Sequence, residues 1–129
     1  MSYFDSEFAT VTYEDDIDTV VARMHDFEEG EPFREYMDSI IDAIADQRTD
    51  RIIADTSEMG TLTQDDQAWS VQDWAPRAEE AGLDHMALVM PEGVVAEMSV
   101  ESIVEMARDT INRELFDNLE DARTWVHRQ

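Results

Sequence analysis

Four hydroxyl side chains, Thr56, Ser57, Thr61 and Thr63, follow the short apolar run Arg51-Ile52-Ile53-Ala54-Asp55 and precede a helical segment. The approach to a helix N-terminus is where free backbone N–H groups and the helix dipole favour an anion or a phosphate. The same residue types also serve as caps and turn bonds. Thr63 stands three residues before Asp66, the spacing of a capping box with Asp in place of the usual Glu or Gln. Asp55, Glu58, Asp65 and Asp66 surround the cluster with negative charge that works against a bound phosphate. Asp55, Thr56, Ser57, Thr61 and Thr63, with Trp69 and Trp74 on the segment that follows, are the candidate ligand- or partner-binding residues, and no catalytic residue is assigned.

Other chemistries leave weaker traces. His25, His85 and His127 sit far apart on different segments, and the chain has no cysteine, so neither a metal site nor a cofactor is expected. No P-loop, G-x-G-x-x-G or G-x-S-x-G motif is present. An alternative is a small hydrolase-type enzyme whose site assembles from scattered carboxylates and His85, which requires a polar pocket joining His85 to Asp55 or Asp84. Trp69, Trp74 and Trp125, with Met86, Met90, Met98 and Met106, have the spacing of core residues and the adaptability of an apolar pocket.

The elements that must position these residues are read from periodicity. Ala9, Val11 and Tyr13 alternate with Thr10 and Thr12, as a half-buried strand requires, and Val20, Ala22 and Met24 repeat the pattern after an acidic turn, predicting an antiparallel hairpin. Pro32 suits the first turn of a helix whose Phe33, Met37, Ile40, Ile41 and Ile44 form an apolar stripe. Residues 51–55 predict a buried central strand, and residues 63–82 a helix kinked or restarted at Pro76 and stopped by Gly82. Residues 85–90 predict another buried strand, 99–107 a helix with Ile103, Met106 and Ala107 inward, and 111–116 a final strand. Asn118 caps a C-terminal helix that buries Leu119, Ala122, Trp125 and Val126. The order β-β-α-β-α-β-α-β-α predicts an α/β fold, a mixed five-stranded sheet with helices packed on it, as one domain over residues 1–129.

Charge describes the surroundings. The chain has 32 Asp and Glu against nine basic residues, all Arg, for a formal net charge of -23. Self-repulsion of that size opposes a compact state in dilute buffer, whereas at 1 M salt the Debye length falls to about 3 Å and most of the repulsion disappears. The expected setting is the salt-rich cytoplasm of a halophile. With no basic N-terminal start or long apolar run, neither a signal peptide nor membrane insertion is expected, and the acidity argues against nucleic acid as a partner.

The hairpin with its amphipathic helix, the strand ending in Ala54-Asp55-Thr56, and the run Phe116-Asp117-x-x-x-x-Ala122-x-x-Trp125-Val126 resemble the SpoIIAA-like, or STAS-like, superfamily, and within it small stand-alone members related to CRAL-TRIO-like domains. The resemblance implies a regulatory or interaction domain without enzymatic activity, binding a partner protein or a small apolar ligand; the charge adds a halophilic archaeon as the expected source, and a homodimer is an allowed assembly. Antagonists in that superfamily carry a serine in an Asp-Ser-Ser-Gly-like stretch after the central strand. Here the region reads Asp55-Thr56-Ser57-Glu58-Met59-Gly60, so the phosphorylation switch is not implied.

Overall fold

Alternation in the first half of the chain produces the antiparallel part of the sheet. In the computed structural model, which describes residues 2–26, 30–58, 63–90, 98, 101–102, 104–105 and 111–129, strand β2 (Ala9–Glu14) pairs with β3 (Thr19–Met24) from Ala9↔Met24 to Glu14↔Thr19. Ala9, Val11, Val20, Ala22 and Met24 enter one core. The turn between them is closed by Tyr13, whose hydroxyl donates to Asp18 Oδ1 at 2.6 Å, with Asp18 left-handed at φ 48°. Asp is among the few residues that visit this region readily.

A sixth strand corrects the expected five. β1 (Ser2–Asp5) lies outside β2, antiparallel to it, with an irregularity between Ser2 and Phe4. Four residues at a sheet edge, interrupted by a bulge, carry no period-2 pattern to read. The reversal into β2 is built on Ser6, whose Oγ accepts from the backbone N–H groups of Phe8 and Ala9.

The remaining strands add in chain order and in parallel: β4 (Arg51–Asp55), β5 (His85–Val89) and β6 (Asn112–Phe116) follow β3, so the sheet runs β1-β2-β3-β4-β5-β6. β4 is buried on both faces, Ile52 in one core and Ile53 in the other, which explains its unbroken apolar run.

Helix α1 (Glu31–Gln47) covers the first face. Its stripe is turned slightly from the expected one. Phe33, Tyr36, Ile40, Ala43 and Ile44 are buried, while Met37 and Ile41 flank the core half-buried. Ser39 is tolerated in that stripe because its hydroxyl donates to Tyr36 O at 2.6 Å.

The segment after β4 shows what Pro76 does. α2 (Gln64–Trp69) passes into a π-helical turn (Ser70–Trp74) and then α3 (Ala75–Ala81), with Ala75 N–H donating to Ser70 O, five residues back. A proline ring crowds the carbonyl four residues before it and offers no N–H, and a locally widened turn accommodates both defects. Gly82, at φ 118°, ends α3 as expected. In the next connection Met98, Glu101, Ser102, Val104 and Glu105 are helical, with Val104 packed on the first core. Ile103, Met106 and Ala107 lie outside the described residues.

α4 (Leu119–His127) lies on the opposite face, where Ala122 and Val126 are buried against Ile53, Ala87 and Val89, flanked by Leu119 and Trp125. Its Asn118 cap is reciprocal: Oδ1 accepts from Asp121 N–H at 2.8 Å and Nδ2 donates to Asp121 Oδ2 at 3.1 Å. No helix among the described residues is long and apolar enough to cross a membrane.

Candidate functional site

The space between α1, the π-helical turn and the sheet is incompletely filled. A partly open cavity of about 80 Å³ remains there. Its floor includes Ala54 on β4, a short side chain at a position where Ile or Val would reach further toward the helices. Met24, Ile52, Met86 and Leu88 rise from the sheet around Ala54, and Phe33, Tyr36, Met37 and Ile40 descend from α1.

The π-helical turn supplies the third wall through Ser70 and Trp74. Trp74 is buried, and its indole Nε1–H donates to the Met37 carbonyl at 2.7 Å, fixing the ring against α1. Ser70 Oγ donates back to Asp66 O at 2.8 Å. Burial pushes the Tyr36 phenol well above the ordinary tyrosine range, with the Asp55 carboxylate adding to the effect, so this side chain presents a neutral hydroxyl. Thr56 and Arg113 complete the wall. No His, Asp or Glu is among the described residues that line it.

The candidate residues named from sequence divide among several places. Thr56 and Trp74 meet at the cavity. Asp55 does not join them, because strand alternation puts it on the α4 side, where its Oδ1 accepts from Ser57 N–H and Oγ–H at 3.1 and 2.7 Å and its Oδ2 lies 3.5 Å from Arg23 Nε. The Thr56 hydroxyl and N–H both donate to Val89 O, tying the end of β4 to β5. Thr63 caps α2 by accepting from Asp66 N–H at 3.1 Å. Thr61 lies outside the described residues.

Trp69 is not among the residues that line this cavity. It packs edge-on to Phe33 at 6.1 Å, with the guanidinium carbons of Arg34 and Arg77 at 5.3 and 5.8 Å from its ring centre. It thus serves the junction of α1 with α2 and α3 under two cation–π contacts. Trp125 sits on the other face, against Phe116 and His85.

Asp66 also departs from the sequence reading. Instead of reaching back to Thr63 to close a capping box, its buried carboxylate accepts from Gly30 N–H at 3.0 Å and lies 3.7 Å from Arg34 Nε. It thereby joins the start of α1 to the start of α2.

Among the described residues, His85 and Asp55 lie at opposite ends of their strands. His85 opens β5 beside Arg51, whereas Asp55 ends β4 beside Val89, a separation of four residues or about 13 Å along the strands. His85 Nδ1 instead faces Asn112 Nδ2 at 3.5 Å. Asp84 is exposed, and its N–H donates to Asp50 O. Among the described residues no three metal-ligating side chains come together.

Of the methionines singled out from sequence, Met86 lines the cavity, Met90 packs on the core beside it, Met98 is 61% exposed and Met106 lies outside the described residues. Met24, Phe33, Tyr36, Met37, Ile40 and Arg113 went unnamed as site residues, because they meet only when α1 and β6 take their places on the sheet, which no local spacing reveals. No protein-family model, curated protein or solved structure matches this chain.

Proposed function

We propose that this chain is a non-enzymatic binding module of SpoIIAA-like fold from a halophile's cytoplasm, and that it takes a small apolar ligand between α1 and the π-helical turn. The observation that carries this reading is the cavity itself, with a wall of Met, Phe, Trp, Ile and Leu and no acid–base pair among its described residues. Pockets for small molecules are mostly apolar with a few placed polar groups, and π-helical turns are frequent at functional sites. The mixed sheet, with its hairpin at one end and a capped α4 carrying Ala122 and Trp125, is consistent with the family resemblance.

The test is methyl NMR on methionine-labelled protein in 2 M KCl, titrated with a panel of apolar compounds of graded size. At least one class is expected to shift the methyls of Met24, Met37 and Met86 while leaving the exposed Met98 in place. If every compound leaves the three cavity methionines unmoved, or moves Met98 equally, the reading fails.

A further inference from the structure

We propose that the ligand is a short, uncharged ketone or alcohol whose oxygen accepts a hydrogen bond from the Tyr36 hydroxyl. This rests on the cavity being the ligand site. Most donors described in its wall are already used. The Thr56 hydroxyl donates to Val89 O, the Ser70 hydroxyl to Asp66 O and the Trp74 indole to Met37 O, and Arg113 has a partner within the protein.

Tyr36 is the exception. It is 2% exposed, yet among the described residues its hydroxyl makes no hydrogen bond, and burial with the Asp55 carboxylate, not a bonded acceptor, raises its pKa. Buried hydroxyls almost always have a partner, because leaving one without costs its full desolvation. Its ring is held edge-on by Phe4 and Phe8, with centroids 5.9 and 6.3 Å away, so the hydroxyl is not placed to swing toward another acceptor. The described side-chain atoms that are sealed from water without a hydrogen bond belong to Glu14, Arg34 and Arg51. Tyr36 Oη lacks a bond without being sealed, which puts it on the open space that its side chain lines, the cavity.

Size and charge narrow what answers that donor. A cavity of about 150 Å³ holds benzene, so the 80 Å³ here takes about three or four non-hydrogen atoms on the same scale. An anion would add charge where the Asp55 carboxylate already acts on the phenol, and would be desolvated by a wall of Met, Phe, Ile and Leu. An ammonium carries donors but no acceptor and leaves the phenol unanswered. A neutral oxygen on a short apolar frame meets each requirement. In the free protein a water can hold the same bond, and a hydrocarbon that displaces it loses that bond whereas a ketone restores it.

The experiment compares acetone with isobutene, which has the same shape but a CH₂ in place of the oxygen, and with acetate. Dissociation constants are read in 2 M KCl from the methyl shifts of Met24, Met37 and Met86, in the parent and in Tyr36→Phe. The substitution should lower the affinity ratio of acetone to isobutene about two- to tenfold, the range of one neutral hydrogen bond. Acetate should bind more weakly than acetone. Because the hydroxyl has no protein partner to lose, ligand-free Tyr36→Phe should melt no lower than the parent. An unchanged ratio, tighter binding of acetate than of acetone, or a clear loss of ligand-free stability overturns the Tyr36 assignment and leaves the apolar site standing. If none of the three compounds moves the cavity methionines while larger ones do, the assignment also fails alone. If no compound moves them, both readings fail.

Discussion

Replacing Asp66 by Ala should cost this protein far more than replacing its neighbour Asp65, although both lie in the first turn of α2. Asp66 is 2% exposed and accepts from Gly30 N–H at 3.0 Å. A hydrogen bond to a charged group contributes about 1.5–3 kcal/mol. The contact with Arg34 at 3.7 Å adds little, since that guanidinium is 43% exposed, and such pairs contribute at most about 1 kcal/mol. The Thr63 cap is untouched by the substitution, because it uses the backbone N–H of residue 66. The sum is a loss of about 2–3 kcal/mol for Asp66→Ala, and about 1 kcal/mol for Asp66→Asn, which keeps an acceptor. Exposed Asp65 contributes only its helix-dipole interaction, about 0.3–1 kcal/mol. For a chain of 129 residues, each kcal/mol corresponds to about 3–5 °C in Tm, so thermal unfolding in 2 M KCl should place Asp66→Ala about 6–15 °C below the parent. Urea titrations of the same set should shift in midpoint with an unchanged slope. If Asp66→Ala unfolds within the range of Asp65→Ala, the clamp between α1 and α2 has no energetic reality. Because Phe33 on α1 and Ser70 and Trp74 beyond α2 line the cavity, weakened ligand binding should accompany the loss of stability.

Lowering KCl from molar to millimolar should destabilise the fold, followed by circular dichroism, as the Debye length grows from about 3 Å to 30 Å; stability independent of salt would contradict the origin assigned to the acidity. All three tyrosines are raised, Tyr3 by its bond to Asp46, Tyr13 to about 12 by its bond to Asp18, and Tyr36 by burial. A raised folded pKa means the neutral phenol contributes stability that is fully present below the unfolded value of 10.0 and is lost as pH climbs toward 12. Ultraviolet titration of the folded protein should therefore show far less than half the tyrosinate signal at pH 10, and Asp18→Asn should bring Tyr13 back toward the ordinary range. Trp74→Phe removes the bond to Met37 O and enlarges the cavity, a loss of about 1–3 kcal/mol; chemical denaturation that finds it neutral would mean the indole does not hold α1 to the π-helical turn.

What the sequence disclosed follows from how local each cause is. The hairpin, α1, the buried β4, the stop at Gly82 and the cap at Asn118 depend on residues within a few positions of one another, and all were legible. The two cap motifs show the limit well. Asn118 and Asp121 share their spacing with Thr63 and Asp66, yet Asp121 bonds back to its cap while Asp66 bonds to Gly30, 36 residues away. Nothing local distinguishes them, because the competing partner arrives only when α1 docks. The cavity is hidden for the same reason, since residues of α1, the π-helical turn and strands β3 to β6 meet around it only in the folded chain. The sequence left open whether Trp69 and Trp74 line a pocket or fill the core, and the two differ because Trp74 lines the cavity while Trp69 packs on Phe33. Strand β1 was missed because an irregular four-residue edge has no repeat to detect.

The acidity and the site belong to separate layers of the molecule. Among the described residues only Asp55 and Asp66 are buried carboxylates, and each faces a half-exposed arginine, Arg23 or Arg34. The other described acids lie at or near the surface, over a core of Val, Ile, Ala, Met and aromatic side chains that is ordinary for any α/β sheet. The exclusive use of Arg has a ground in the same geometry. Arg77 donates through both Nε and an Nη to Asp73, reaches Asp38 at 2.8 Å, and lies over Trp69. A lysine ammonium is a compact, strongly hydrated point charge and cannot present a planar fork to a carboxylate while stacking on an indole. Salt therefore governs how strongly the acidic shell strains the fold, whereas the shape of the cavity is set by the apolar core, through Ala54 on the sheet, the stripe of α1 and the widened turn that carries Ser70 and Trp74.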